Sequence, residues 1–324
     1  MSARVSAAIV AAAWLLVSNA MADSDVEPRD LLERMSTAMS QMDYQGTFVY
    51  VQGDDVVTMR ITHVADEAGV RERLVSMSGA PREVIRDSNG IRWVLGDDRS
   101  VLADQPFNRS FFPQLPLDQQ SQTDQCYSLK LGGNGRIAGQ SVRSLSVVPR
   151  DQYRYGYTLW LEERSALLLK WELVDRDRKP LARLMFTDFR MGSEVDKGEL
   201  APNSQLQKYR TVESSLPTGQ GQATALPRWQ PSSLPSGFEL TAHRFSGRSD
   251  RGIFEHLVYS DGLATVSVYV ESDDNGGTQK TGLSRMGTTH AFSRLMDDVR
   301  ITVIGDVPEA TVRLIGDAVG RVTP

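Results

Sequence analysis

The sequence predicts a mainly β, two-part chain. A large curved antiparallel sheet, an incomplete barrel with one helix ahead of it, is followed by a smaller α+β unit. Three observations predict this. Strand-length segments follow one another at hairpin spacing from Thr47 to Phe189. A single amphipathic helix precedes them. A stretch rich in Gln, Ser, Thr, Gly and Pro, Asn203–Gly237, then separates them from a shorter set of strands closed by a second helix.

The N-terminus reads as an export signal. Arg4 supplies the positive region, Ala7–Val17 the short apolar core, and Ala20-Met21-Ala22 the small residues of a cleavage site, so residues 1–22 are expected to leave and the mature chain to start at Asp23. Eleven apolar residues fall short of the roughly 20 that span a bilayer. Without Arg4 the chain holds 35 basic against 41 acidic residues, a formal charge of −6. Such a surface argues against nucleic acid as a partner, because phosphate recognition needs excess positive charge. Cys126 is the only cysteine, which excludes an intramolecular disulfide despite an oxidising destination. A small buried thiol is its expected role.

Pro28, Leu31, Met35, Ala38, Met39 and Met42 recur at helical spacing, with Pro28 suited to a first turn and Gly46 beyond the end. Thr47–Val51 is β-branched and aromatic, apolar on both faces. Gly53-Asp54-Asp55 turns the chain, and the return strand alternates Val57, Met59 and Ile61 against Thr58, Arg60 and Thr62. Arg71–Ser78, Arg82–Arg86 and Ile91–Leu95 continue the series. Ala103–Gln125 breaks it with Pro106, Phe107, Phe111, Phe112, Pro113, Leu115 and Pro116. A long loop bearing aromatics reads as a functional lid or as a plug for the open end of the sheet. Strands resume at Arg136–Val148 and run on through Tyr153–Glu162, Leu167–Val174 and Leu181–Phe189.

The expected limits are 23–202 for the first domain, 203–227 for the linker and 228–324 for the second domain. Trp229, between Pro227 and Pro231, suits an extended segment docked on one domain. Phe238–Phe245, Ile253–Tyr259, Ala264–Glu271 and Val299–Ile304 read as strands, with Asp261-Gly262 as a hairpin turn. Asp306 and Pro308 open a helix whose Val312, Ile315 and Val319 share a face.

No catalytic or metal constellation emerges. G-x-S-x-G is missing, and the four histidines lack ligand spacing. Asp273-Asp274-Asn275-Gly276-Gly277 lacks the spaced acids of a calcium loop. Gly133-Asn134-Gly135 fits a degenerate dinucleotide fingerprint but leads into a strand, not a helix. The chain is expected to be no enzyme and to need no cofactor.

Tyr44-Gln45-Gly46-Thr47-Phe48-Val49-Tyr50, Met59-Arg60-Ile61-Thr62-His63, Pro81-Arg82-Glu83-Val84-Ile85-Arg86, Arg154-Tyr155-Gly156-Tyr157 and Leu159-Trp160-Leu161, followed by Leu234-Pro235-Ser236-Gly237-Phe238, Tyr259-Ser260-Asp261-Gly262-Leu263 and Ile301-Thr302-Val303-Ile304-Gly305-Asp306-Val307-Pro308, stand in an order that resembles the periplasmic sigma-E regulators of the RseB/MucB family. The resemblance covers essentially the whole mature chain. It implies a first domain like the LolA/LolB lipoprotein carriers, half-open around an apolar cavity, and a smaller second domain. It also implies a periplasmic partner, the external segment of a membrane anti-sigma factor of the RseA/MucA type, which the protein would shield from proteolysis until a lipid-like signal releases it. A periplasmic lipid or lipoprotein carrier is the alternative.

On this reading Phe48, Tyr50, Val57, Met59, Ile61, Trp93, Phe111, Phe112, Trp160 and Trp171 are candidates to line the cavity, with the inward parity open. Lipid, lipopolysaccharide or lipoprotein acyl chains are its candidate occupants. Trp229, Ile253, Phe254, Tyr259, Val266, Val268 and Tyr269 are candidates for the partner surface, through a C-terminal hairpin that accepts an added strand.

Overall fold

The computed structural model describes residues 27–79, 82–88, 90–95, 112, 125–201, 210–214, 226–248, 252–272 and 281–322. The expected signal segment and most of Ala103–Gln125, including Phe111, lie outside the described residues, as does most of the expected linker.

Helix α1 (Pro28–Gln41) begins with Pro28 in its first turn, where the missing N–H costs nothing. It buries Leu31, Leu32, Met35 and Ala38. The strands that follow are β1 (Tyr44–Gln52), β2 (Asp55–Asp66), β3 (Gly69–Ser76), β4 (Arg82–Asp87), β5 (Gly90–Leu95), β6 (Tyr127–Ile137), β7 (Gln140–Pro149), β8 (Gly156–Glu162), β9 (Leu168–Val174), β10 (Pro180–Met191) and β11 (Arg210–Ser214). Among the described residues they form one 11-stranded antiparallel sheet in the order β11-β5-β4-β3-β2-β1-β10-β9-β8-β7-β6. The sheet is two meanders, β1 to β5 and β6 to β10, welded where β1 meets β10. Gly46 permits that weld: a Cβ there would lie 2.4 Å from the Asp188 carbonyl oxygen and 2.7 Å from the Phe186 ring.

The second core has β12 (Trp229–Pro231), β13 (Glu239–Arg248), β14 (Gly252–Ser260), β15 (Thr265–Ser272), β16 (Gly282–Met286), β17 (Thr289–Met296), β18 (Val299–Gly305), α2 (Glu309–Ala318) and β19 (Val319–Arg321). Six of these strands form a sheet in the order β13-β14-β15-β18-β17-β16, and β12 pairs with β19 beside it. Val312 and Ile315 of α2 are buried in the same cluster as Val266, Val268, Val270, Ile301 and Val303.

Several expectations need correction. Gly132–Gly135 lies inside β6, where a register shift between Leu131 and Asn134 absorbs the irregularity. Arg210–Ser214, expected as linker, is a strand paired with β5. β16 and β17 occupy a stretch to which the sequence reading assigns no element, and Val319 leaves the helix to begin β19.

Candidate functional site

The concave face of the large sheet is set by strand alternation. Tyr44, Gly46, Phe48 and Tyr50 of β1 stand opposite His63, Ile61, Met59 and Val57 of β2, so these residues share one face. Across the weld, Phe48 and Tyr50 stand opposite Phe186 and Leu184. Phe48, Met59, Ile61, Phe112 and Trp171 belong to one buried cluster, with Tyr50, Val57 and Trp160 packed against it as partly buried residues. Phe112 is the hub. Its ring lies 6.0 Å from those of both Phe48 and Phe186 and 6.4 Å from Tyr44. These edge and stacked arrangements suit aromatic quadrupoles and add to the burial of each ring. A second group joins Tyr50 and Tyr157 to Trp171 at 5.9 and 6.3 Å.

Trp160 differs in direction. It pairs with Lys170, whose ammonium lies 3.9 Å from the centre of its ring, one residue out of step with inward Leu159. Trp93 is placed by its backbone on β5, opposite Val84 and Val212. Its side chain lies outside the described residues.

Helix α1 closes one side of this face. Leu31, Leu32, Met35 and Ala38 enter the same cluster, and the Leu168 N–H donates to the Met39 sulfur at 3.4 Å. His63 stacks on Tyr44 at 4.6 Å and places Nδ1 3.1 Å from the Met42 carbonyl. Burial pushes its pKa down, partly offset by the Glu72 charge and that carbonyl.

The partner candidates fall mostly inside the second core. Trp229, Tyr259, Val266 and Val268 are buried, and Tyr269 stacks on His256 at 4.3 Å. Ile253 and Phe254 stand on β14 opposite Gly247 and Ser246. The idea that this hairpin accepts an added strand is corrected by the topology. β14 already pairs with β13 and β15, and β15 with β14 and β18, so its backbone groups are spent. The sheet ends instead at β13 and β16.

Sequence reasoning missed the seam between the two cores. Arg154, in the turn before β8, is fully buried. Its Nη1 donates to Asp261 Oδ2 at 2.5 Å, its Nη2 to the Ser236 carbonyl at 2.6 Å, and its Nε to Asp151 Oδ1 at 3.1 Å. The guanidinium lies 5.4 Å from the Tyr127 ring centre and 5.2 Å from that of Phe238. Tyr127 donates its hydroxyl to Asp261 Oδ2 at 2.9 Å. Burial and then the Asp261 charge push the Tyr127 pKa far up, so it stays a donor. Asp261 Oδ1 meanwhile accepts the backbone N–H groups of Leu263 and Ala264, fixing the Asp-Gly turn. One carboxylate therefore shapes the second domain and receives the first.

Cys126 sits at the same seam and donates to the Ser236 carbonyl at 3.4 Å. Burial pushes its thiol pKa up, which makes a reactive thiolate unfavourable. Further ties run from the Thr311 hydroxyl to the Tyr153 carbonyl at 2.6 Å and from Gln52 Nε2 to the Thr288 hydroxyl at 2.6 Å. Among the described residues no group of three His, Cys, Asp or Glu side chains could hold a metal ion.

Comparison with known proteins gives these two cores a context. The family model for the MucB/RseB N-terminal domain matches residues 27–204, and that for the MucB/RseB C-terminal domain matches 223–320. The sigma factor AlgU regulatory protein MucB of Pseudomonas aeruginosa is 33% identical over 293 residues, covering 88% of each chain. The sigma-E factor regulatory protein RseB of Salmonella typhimurium is 26% identical over 315 residues, covering 96% of this chain and 95% of RseB. The complex structure of Pseudomonas aeruginosa MucA/MucB aligns with a TM-score of 0.72 at 30% identity, over 92% of this chain and all of that one. With both domain models matched in order, the chain belongs to the MucB/RseB family of regulatory, non-enzymatic proteins.

Proposed function

We propose that the chain is an exported periplasmic negative regulator of a sigma-E (AlgU-type) envelope-stress response. It binds the periplasmic segment of a MucA/RseA-type anti-sigma factor and keeps proteases from it. The observation that carries this reading is the alignment, over 92% of the chain, with MucB in its complex with MucA. The proposed organisation is a signal segment at 1–22, a first domain at 23–202, a linker at 203–227 whose Arg210–Ser214 pairs back onto β5, and a second domain at 228–324.

Release by a lipid-like signal fits the concave face. An acyl chain of a lipid, lipopolysaccharide or lipoprotein would enter between α1 and the sheet and displace Phe112 from Phe48 and Phe186. Met59, Ile61 and Trp171 would line its path. Such a ligand shifts binding only if it distinguishes the free from the complexed protein, and the coupling is reciprocal. Of the partner candidates, Tyr269 on its His256 stack is proposed to face the anti-sigma segment, while Trp229, Tyr259, Val266 and Val268 hold the domain's shape.

The test is a titration of purified chain with a MucA-type periplasmic domain, alone and after loading with a fatty acid. Binding that protects the domain from protease and weakens on loading supports the proposal. Binding of fatty acid with none of the domain would leave a lipid carrier instead.

A further inference from the structure

A cleft of about 500 Å³ lies where the two domains meet near the tip of the β1–β2 hairpin. Val51 of β1, Leu181 and Ala182 of β10, and Arg285 and Gly287 of the β16–β17 hairpin all line it. Its rim carries three cations, Lys179, Arg183 and Arg285, each exposed. Lys179 and Arg183 make no ion pair among the described residues, and Arg285 gives Nε to the Gly287 carbonyl at 2.9 Å. Two separate domains thus gather positive charge in one groove of a chain whose net charge is −5.

The nearby acids are mostly committed elsewhere. Glu172 lies 3.0 Å from Lys170. Asp175 Oδ1 accepts the backbone N–H groups of Asp177 and Lys179, both at 2.9 Å. Asp306 Oδ1 takes the hydroxyls of Thr288 and Thr289. Asp54 and Asp55, on the exposed hairpin tip, and the exposed Asp177, two residues from Lys179, are the acids left to oppose the rim. The walls are also fixed relative to each other. Gln52 donates to Thr288 across the cleft edge, and a Cβ on Gly287 would lie 2.7 Å from the Gln52 amide nitrogen. Gly287 also holds φ +61°, the left-handed backbone region that favours glycine.

We infer that this cleft is an anion-recognition site, and that its ligand is an acidic, partly apolar stretch of extended peptide lying across both domains. The inference rests on the proposed anti-sigma partner for the source of that peptide. Val51, Leu181 and Ala182 give the cleft an apolar wall that a bare phosphate would not use, whereas a peptide uses wall and rim together. Clustered charge in a groove bounded by low-dielectric walls focuses its field on an approaching anion. The attraction is exposed to solvent, so it weakens as salt rises.

The experiment is calorimetric titration of the full chain with a MucA-type periplasmic domain at about 50 and about 500 mM salt. Wild type is compared with Lys179→Glu/Arg183→Glu and with the same pair plus Arg285→Glu. Reversal is expected to weaken binding by roughly tenfold or more and to flatten its salt dependence, and Asp54→Asn/Asp55→Asn to tighten it a few-fold. Should the triple variant unfold, the double variant, which leaves the Arg285–Gly287 bond intact, is the readout. Equal affinity and an equal salt slope in wild type and the double variant would overturn the site. If wild type does not bind the domain, the proposed partner fails, and poly-L-glutamate decides the cleft by itself. Capture of that polymer by wild type but not by the variants sustains an acidic-peptide site, and no capture overturns it. Full displacement by inorganic phosphate at millimolar concentration would also overturn the peptide assignment.

Discussion

Replacing Arg154 by Met should separate the two cores energetically. In the native chain the guanidinium and the Asp261 carboxylate are both fully buried, with Nη1 and Oδ2 at 2.5 Å. Removing one partner of a buried pair costs about 3–5 kcal/mol, because the other charge is left without water or counter-charge. Asp261 would keep three hydrogen bonds, from Tyr127, Leu263 and Ala264. Those contacts place the loss at the lower end, about 3 kcal/mol. Asp261→Asn should cost less, about 1–2 kcal/mol, since Arg154 retains Asp151 at 3.0 Å and the Ser236 carbonyl. The double variant removes both charges, so it should be more stable than the sum of the single losses by at least about 1 kcal/mol. Urea unfolding followed by tryptophan emission reads both sides of the seam, because Trp171 lies in the first core and Trp229 in the second. Wild type should unfold in one transition and Arg154→Met in two. A loss below about 1 kcal/mol, or strict additivity in the cycle, would refute the view that this cluster joins the domains.

Gly237 holds φ +82°, and a Cβ there would lie 2.4 Å from the Cys126 sulfur, so Gly237→Ala should cost about 2 kcal/mol or more in the same urea assay. Adding Cys126→Ala should recover the steric part of that loss and leave the backbone part. Phe112→Ala should lower stability by about 3 kcal/mol and raise the uptake of a fluorescent fatty acid; unchanged uptake would count against the concave face as a lipid site. Acidification should expose His63. Burial holds its folded pKa below the ordinary 6.5, so its contribution is complete above that pH and declines as the pH falls through it towards the folded value. The urea midpoint should therefore drop between about pH 7.5 and about pH 5.5, and less steeply in His63→Gln; equal slopes would remove His63 as the cause.

Much of the architecture was legible because alternation is a strong signal. Val57, Met59 and Ile61 announce a one-sided strand, and their partners Tyr50, Phe48 and Gly46 followed from the short Gly53 turn. α1 was legible from Pro28 and its apolar spacing. β6 was not, because Gly132-Gly133-Asn134-Gly135 carries turn chemistry, and only the bulge opposite β7 reconciles it with a strand. β16 and β17 were missed for a related reason. The mostly exposed β16 is held by pairing with β17, and β17 by pairing with β18, which local sequence cannot report. The seam was the least legible feature. Arg154 and Asp261 are 107 positions apart; Arg154 reads as one residue of the expected strand Tyr153–Glu162 and Asp261 as an ordinary turn residue. A buried ion pair is a tertiary fact, written in neither half of the sequence.

The weld between β1 and β10 constrains how the chain can reach this fold. Tyr44 pairs with Met191, so the first strand waits for nearly the whole first domain before one of its edges is satisfied. Each meander consists of neighbouring hairpins and can close quickly by itself, but joining them requires a long loop to be closed first. Until then the Thr47–Val51 edge is an unpaired, β-branched and aromatic strand, open to another copy of the chain. A chain delivered from its N-terminus exposes that edge early and covers it late. Folding is thus paced by the arrival of Ala182–Met191, and crowding during synthesis should penalise variants that delay the weld far more than their equilibrium stability would suggest.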